Sequence, residues 1–88
     1  MRVVILYKND TDYTRSVTDF LYDLKKQTGY ELEEVNPDTA EGADICRIYD
    51  IVEYPTIIAL SEDGALQNLW RGLPLPLISE VSYYASLE

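Results

Sequence analysis

Few side chains in this 88-residue sequence have the chemistry of a nucleophile, a general base or a metal ligand. There is one cysteine, Cys46, and there is no histidine. A single cysteine cannot form a disulfide within the chain, and zinc sites normally combine several cysteine and histidine side chains. A hydroxyl nucleophile also needs an activating base, most often histidine. The sequence therefore predicts no catalytic residue, no metal and no cofactor, with carboxylate-bound magnesium or calcium as the open alternative.

Two aspartates, Asp10 and Asp12, are close enough in sequence to form a general acid–base pair or a divalent-cation site. They stand just before a segment with helical periodicity. Carboxylates in that position commonly cap the helix and interact favourably with its dipole. We therefore interpret both aspartates as capping residues, and we expect the helix to start among residues 9–11.

Cys46 lies in a predicted second helix, in one row with Ala43 and Tyr49. A buried free cysteine packs as a small apolar side chain, and apolar surroundings raise the pKa of its thiol. We predict this structural role for Cys46 and keep a redox or modification role as the alternative. Rapid stoichiometric alkylation of the native protein would contradict burial.

Pro55 stands immediately before the apolar run Thr56–Leu60. Proline has no N–H to donate within a sheet, so it is expected to begin this strand and not to interrupt it. A cis bond before proline costs only about 0.5–1 kcal/mol. The Tyr54–Pro55 bond is therefore our candidate for a cis peptide.

Sixteen acidic residues against seven basic ones give the chain a formal net charge of −9. This charge repels nucleic acid and anionic membrane surfaces, so a charged partner is expected to be basic. The alternative is that the acidity only keeps a small domain soluble.

The length fits a single domain, residues 1–88. Leu87 and Glu88 are given no weight, because expression vectors can add such terminal residues. No segment approaches the roughly 20 apolar residues of a membrane span, and the apolar run after Arg2 is too short for a signal peptide. We expect a cytoplasmic, reducing environment for the free thiol.

Seven segments have the periodicity of strands or helices. They are a strand at residues 3–7, a helix from residues 9–11 to Gly29, strands at 30–35, a helix at 39–49, strands at 55–60 and 65–70, and a helix beginning at Pro74 and Pro76. The three glutamates of residues 30–35 suit an edge strand. Gly42 is expected to weaken the start of the second helix. The helices have apolar stripes at Tyr13, Val17, Phe20, Leu21 and Leu24, at Ala43, Cys46 and Tyr49 beside Ile45 and Ile48, and at Leu77, Ile78, Val81, Tyr84 and Ala85.

This order, β-α-β-α-β-β-α, resembles the thioredoxin/glutaredoxin fold over essentially the whole chain. Tyr49-Asp50-Ile51-Val52-Glu53-Tyr54-Pro55-Thr56 is similar to that superfamily's Tyr-Gly-Val/Ile-x-x-x-Pro-Thr segment. Asp63-Gly64 matches its hairpin turn, and Gly72 matches the glycine before its last helix. The resemblance implies an α/β fold with a four-stranded mixed sheet flanked by three helices.

The sequence departs from the redox members at their catalytic motif. The matching window, Thr11-Asp12-Tyr13-Thr14-Arg15, mirrors a glutaredoxin-like Cys-Pro-Tyr-Cys-Arg with threonine at both sulfur positions. Threonine cannot undergo disulfide exchange. Asp10 and Asp12 also place negative charge where glutathione carboxylates would bind, although Lys8 and Arg15 partly balance it. The chain is therefore identified as a divergent relative without the usual catalytic cysteines.

We expect a redox-inactive, protein-binding or peptide-binding adaptor. In such folds, the backbone before the cis-proline can pair with an extended peptide, as one point of β-augmentation. The expected binding residues are Tyr54, Pro55, Thr11, Asp12, Tyr13, Thr14 and Trp70. The first alternative is a thiol-disulfide oxidoreductase or redox sensor that uses Cys46. The second is a self-associating structural domain, pairing through the edge at residues 30–35, and we expect a monomer or weak homodimer.

Overall fold

The computed structural model describes residues 1–87, so Glu88 of the terminal pair lies outside the described residues. The elements are β1 (Arg2–Leu6), α1 (Thr14–Thr28), β2 (Glu33–Val35), α2 (Ala40–Tyr49), β3 (Thr56–Leu60), β4 (Leu66–Arg71) and α3 (Ile78–Ala85). This is the predicted order of strands and helices. No helix among residues 1–87 has the length and apolar character needed to cross a membrane.

The four strands form one mixed sheet in the order β2-β1-β3-β4. β1 pairs in parallel with β2, and β3 runs antiparallel to both β1 and β4. Every residue of β3 is buried, because successive side chains point to opposite faces and helices cover both. One core layer contains Val17 and Val81, from α1 and α3, and the other contains Ile45, from α2. The predicted α/β architecture is therefore confirmed.

The start of α1 differs from the prediction. The helix begins at Thr14, its N-cap is Tyr13 without a side-chain capping bond, and its first turn contains no acidic residue. Asp10 has a positive φ of 59°, which turns the chain away from a helical path. The capping interpretation of Asp10 and Asp12 is therefore wrong. At the other end, the helix stops before Gly29 as predicted; Gly29 has a left-handed conformation, and its N–H donates to the carbonyl of Lys25 at 2.8 Å.

The buried face of α2 also differs. Thr39 is the N-cap, and its hydroxyl accepts a hydrogen bond from the Gly42 N–H at 3.0 Å. Ala43 is exposed and Ile48 is 63% exposed, whereas Gly42 and Ile45 are buried. A Cβ at position 42 would lie 2.0 Å from the carbonyl oxygen of Asn36. Gly42 therefore allows the helix to approach the preceding chain closely, and its expected weakening of the helix start stays a prediction.

The remaining differences concern element ends. β2 is shorter than predicted but occupies the predicted sheet edge. Pro74 and Pro76 lie in the connection before α3 and not at the helix start, since the helix begins at Ile78. Val81 is fully buried, but Leu77 of the predicted stripe is 68% exposed. The fold therefore leaves an apolar, proline-containing segment at the surface between β4 and α3.

Candidate functional site

The candidate site lies where the end of β1 meets the beginning of β3. Leu6 pairs with Thr56 in the antiparallel ladder, so the residues after Leu6 lie beside those before Thr56. Lys8 and Tyr54 meet at this point, and the Tyr54–Pro55 peptide bond is cis. Two neighbouring strands of the sheet thus fix the position of the Tyr54–Pro55 step.

Lys8 connects most of the predicted site residues. Its ammonium nitrogen lies 5.4 Å from the centroid of the Tyr54 ring and 3.4 Å from Oδ1 of Asp38. Its backbone N–H donates to the Tyr13 hydroxyl at 2.8 Å. A lysine over an aromatic face is attracted to the ring's quadrupole. Lys8 therefore links the loop before α1 to Tyr54, a role that the sequence did not predict.

The Thr11 and Thr14 hydroxyls face each other and are engaged with the backbone. Their oxygens are 2.8 Å apart, and Thr14 Oγ1 donates to the carbonyl of Lys8 at 2.9 Å. Thr14 Oγ1 also accepts the backbone N–H of Thr11 at 3.0 Å. Because the single Thr14 proton goes to Lys8, Thr11 acts as the donor between the two hydroxyls. The pair ties the end of β1 to the start of α1, and among residues 1–87 neither hydroxyl is hydrogen-bonded to a carboxylate.

Cys46 approaches the site from α2. The Tyr54 hydroxyl donates a hydrogen bond to Sγ of Cys46 at 3.7 Å. This bond, followed by partial burial, raises the pKa of Tyr54 above its ordinary value. Cys46 itself is partly and not fully buried. The expected full burial of the thiol is therefore not found, although Cys46 packs against the core layer of α2 as predicted.

Two of the predicted site residues lie apart from this group. Asp12 is exposed, and within residues 1–87 its carboxylate has no hydrogen-bond or ion-pair partner. Trp70 packs edge-on against Tyr84, at 5.5 Å between ring centroids, and its indole N–H donates to Glu80 at 3.4 Å. It belongs to the core layer of α1 and α3, whereas Tyr54 packs against the layer of α2. The structure thus brings together Tyr54, Pro55, Tyr13, Thr11 and Thr14, without Trp70 and without a polar contact from the Asp12 carboxylate.

The backbone around Tyr54 is only partly hydrogen-bonded. The carbonyl of Pro55 accepts the N–H of Gly72 at 2.8 Å. Among residues 1–87, neither the N–H nor the C=O of Tyr54 has a backbone partner. Pro55 is buried and Tyr54 is half-buried, so Tyr54 is the residue of this step whose main-chain groups are suited to pairing with an extended chain. Among residues 1–87 as a whole, no cluster of three or more acidic or cysteine side chains is arranged to hold a metal ion.

Comparison with known proteins finds similarity only at the level of the fold. No protein-family model matches the chain, and no curated protein does. Thioredoxin 1 from Thermosipho africanus is similar over 96% of this chain and 89% of its own, with 14% identity and a TM-score of 0.64. A structure described as a malarial protein is similar over 93% of this chain and 89% of its own, at 13% identity and a TM-score of 0.63.

A thioredoxin from Thermus thermophilus is also similar, with 19% identity and a TM-score of 0.61 over 93% of this chain and 68% of its own. The TM-scores establish a shared architecture, and identities of 13–19% carry no activity with them. The chain therefore has a thioredoxin-like fold.

Proposed function

We propose that this thioredoxin-like chain is a redox-inactive binding module that receives an extended segment of a partner protein at the Tyr54–Pro55 step. The observation that carries the proposal is the pair of free main-chain groups on Tyr54, next to its aromatic ring. A partner strand can satisfy the N–H and C=O of Tyr54, and the ring adds apolar contact area. Main-chain pairing of this kind supplies affinity without any reactive group.

The chemistry of the neighbouring loop supports an inactive module. Disulfide exchange needs a thiolate, and this chain has threonine at positions 11 and 14. Both hydroxyls are occupied in hydrogen bonds that hold the end of β1 and the start of α1 together. The one cysteine lies on α2, and not at the start of α1. These residues are better suited to maintaining the shape of the site than to turnover.

The partner is a protein segment, and we expect it to be basic, because the chain's net charge is −9. We place the module in the cytoplasm, since a single free thiol is typical of reducing compartments. Neither nucleic acid nor a membrane is proposed as a ligand.

Affinity capture with three baits tests this function: the wild type, Tyr54→Ala and Tyr22→Ala. Tyr22 is a matched control because it too lies beneath a lysine, with Lys26 at 6.0 Å, and it is 66% exposed. We expect the wild type and Tyr22→Ala to retain the same partner and Tyr54→Ala to lose it. Equal retention by Tyr54→Ala and the wild type would exclude docking at this step.

A thiol-dependent function is the second candidate, favoured by the contact between Cys46 and Tyr54 and by partial exposure of the thiol. Insulin reduction and glutathione-disulfide exchange distinguish it from the binding module. We expect no turnover by the wild type. Turnover that Cys46→Ser abolishes would replace the binding module with an oxidoreductase.

A further inference from the structure

A groove of about 750 Å³ lies between α1 and the segment that connects β4 to α3. It is lined by Ser16, Asp19, Phe20, Asp23, Leu73, Pro74, Leu75 and Pro76. The groove is shallow and open to solvent, so it suits a segment lying along the surface better than an enclosed small molecule. Neither Tyr54 nor Pro55 lines the groove, so it is separate from the Tyr54–Pro55 step.

One wall of the groove is acidic. Ser16, Asp19 and Asp23 are spaced three and four residues apart, so they form a single stripe along α1. Asp19 is paired with Arg15 at the edge of contact distance, 4.0 Å, and Asp23 has no ion-pair partner among residues 1–87. The stripe therefore offers two exposed carboxylates to a cationic ligand.

The opposite wall is apolar and contains two prolines. Leu73 is 56% exposed, a large apolar surface to leave in water. The carbonyl groups of residues 73–76 accept no hydrogen bond from within residues 1–87. Phe20, from α1, forms part of the apolar lining between the two walls. The wall thus provides both apolar contacts and free main-chain acceptors.

We propose that this groove binds an extended segment of a partner protein in which lysine or arginine alternates with a bulky apolar residue. Successive side chains of an extended chain point to opposite sides. The basic side chains then face the acidic stripe on α1, while the apolar ones face Leu73 and Leu75. Because one wall is acidic and the other is apolar, a segment with alternating basic and apolar side chains fits both walls. A purely basic or a purely apolar segment fits only one of them.

The spacing of the two aspartates matches the repeat of such a segment. Asp19 and Asp23 are one helical turn apart, or about 6 Å along the axis at 1.5 Å per residue. Two residues of an extended chain span about 6.6 Å. Basic residues at positions i and i+2 of the ligand can therefore each lie opposite one carboxylate.

A set of labelled synthetic pentapeptides tests the proposal by fluorescence anisotropy at low ionic strength. The probe is Lys-Leu-Lys-Leu-Lys, compared with Lys-Lys-Lys-Leu-Leu, Lys-Ser-Lys-Ser-Lys and Glu-Leu-Glu-Leu-Glu, all with blocked ends. We expect only the alternating basic and apolar peptide to bind measurably. Its affinity should fall as salt is added, because the charge contacts are exposed.

Protein variants then locate the binding. Neutralising both carboxylates with Asp19→Asn and Asp23→Asn should lower the affinity for the probe peptide about fivefold to tenfold, as expected for the loss of two exposed ion pairs. Asp50→Asn with Glu62→Gln changes the net charge equally at distant positions and should leave the affinity unchanged. Leu73→Ser should also lower the affinity for the probe peptide, whereas Tyr54→Ala should leave it unchanged. This test is therefore independent of the Tyr54–Pro55 step.

Three results would overturn the proposal. The first is the absence of measurable binding of the alternating peptide to the wild type. The second is equal affinity for the double aspartate variant and its charge-matched control. The third is self-association of the wild type that Leu73→Ser abolishes in sedimentation, which would assign the groove to a second copy of this chain.

Discussion

The hydroxyl of Tyr54 donates a hydrogen bond to the thiol of Cys46 at 3.7 Å. The two residues come from different elements, since Cys46 lies on α2 and Tyr54 precedes β3. Lys8 lies over the same tyrosine ring, with its ammonium 5.4 Å from the centroid. Tyr54 therefore joins three parts of the chain at the step where we propose that a partner docks, and its raised pKa reports on the contact with Cys46.

Replacing Cys46 with alanine should lower the pKa of Tyr54. The hydrogen bond to Cys46 is the largest cause of the raised pKa, so its removal should move the value back towards the ordinary 10.0. Carbon-13 NMR titration of the tyrosine rings measures this directly. Tyr7 is the internal control, because its raised pKa has other causes and should not move. An unchanged Tyr54 pKa in Cys46→Ala would contradict the contact.

Tyr7 should make stability depend on pH in the alkaline range. Burial, followed by the 2.6 Å hydrogen bond to Glu34, raises the pKa of Tyr7 to about 12. The folded state therefore holds this proton more tightly than the unfolded state, whose pKa is near 10.0. The contribution is complete below pH 10 and is lost as the pH rises towards 12.

Comparison of the wild type with Tyr7→Phe isolates this effect. The difference in the free energy of unfolding between the two proteins should be constant below pH 10 and should shrink above it. Urea denaturation at several pH values measures the difference. Parallel pH profiles for the two proteins throughout this range would show that the Tyr7 hydroxyl does not titrate as the structure implies.

Thr14→Val should destabilise the protein by about 1–3 kcal/mol, since it keeps the shape of the side chain but removes its hydroxyl. The Lys8 carbonyl and the Thr11 N–H would each lose a partner. Thr18→Val is the matched control, because the Thr18 hydroxyl only bonds an exposed carbonyl of its own helix. Its effect should stay within about 0.5 kcal/mol. Similar denaturation midpoints for both variants would assign no structural role to the Thr11–Thr14 pair.

The sequence is sufficient to predict the elements whose signals are local. The apolar run after Pro55 predicts β3, because a continuous apolar run is typical of a buried strand. Gly29 predicts the end of α1, because glycine is typical of the left-handed cap of a helix. Each signal depends on a few adjacent residues. The start of α1 is different. Several residues before Thr14 are good capping residues, but none of them begins the helix, which starts at Thr14, where the side-chain hydroxyl donates to the Lys8 carbonyl. Local helix propensity does not predict that hydrogen bond.

In the candidate site, too, some residues can be predicted from the local sequence and others depend on tertiary contacts. The sequence predicts Tyr54 and Pro55 as site residues from their position before a strand. The face of the sheet on which Trp70 lies depends instead on strand register. Trp70 pairs with Ile57, which directs it to the side of α1 and α3. A shift of one residue would place it on the other face of the sheet. The role of Lys8 depends on long-range contacts with Tyr54 and Asp38, and no sequence pattern encodes them.

Gly42→Ala should destabilise the protein, although alanine favours a helix over glycine by about 1 kcal/mol. The added Cβ would lie 2.0 Å from the carbonyl oxygen of Asn36, which belongs to the backbone and cannot rotate away. Relieving that overlap requires α2 to shift, at a cost of about 1–3 kcal/mol that exceeds the gain in helix propensity. Ala43→Gly is the comparison at the adjacent exposed position, where only propensity acts. We expect urea denaturation to show a loss of stability in both variants, and a more stable Gly42→Ala would show that α2 does not approach Asn36 so closely.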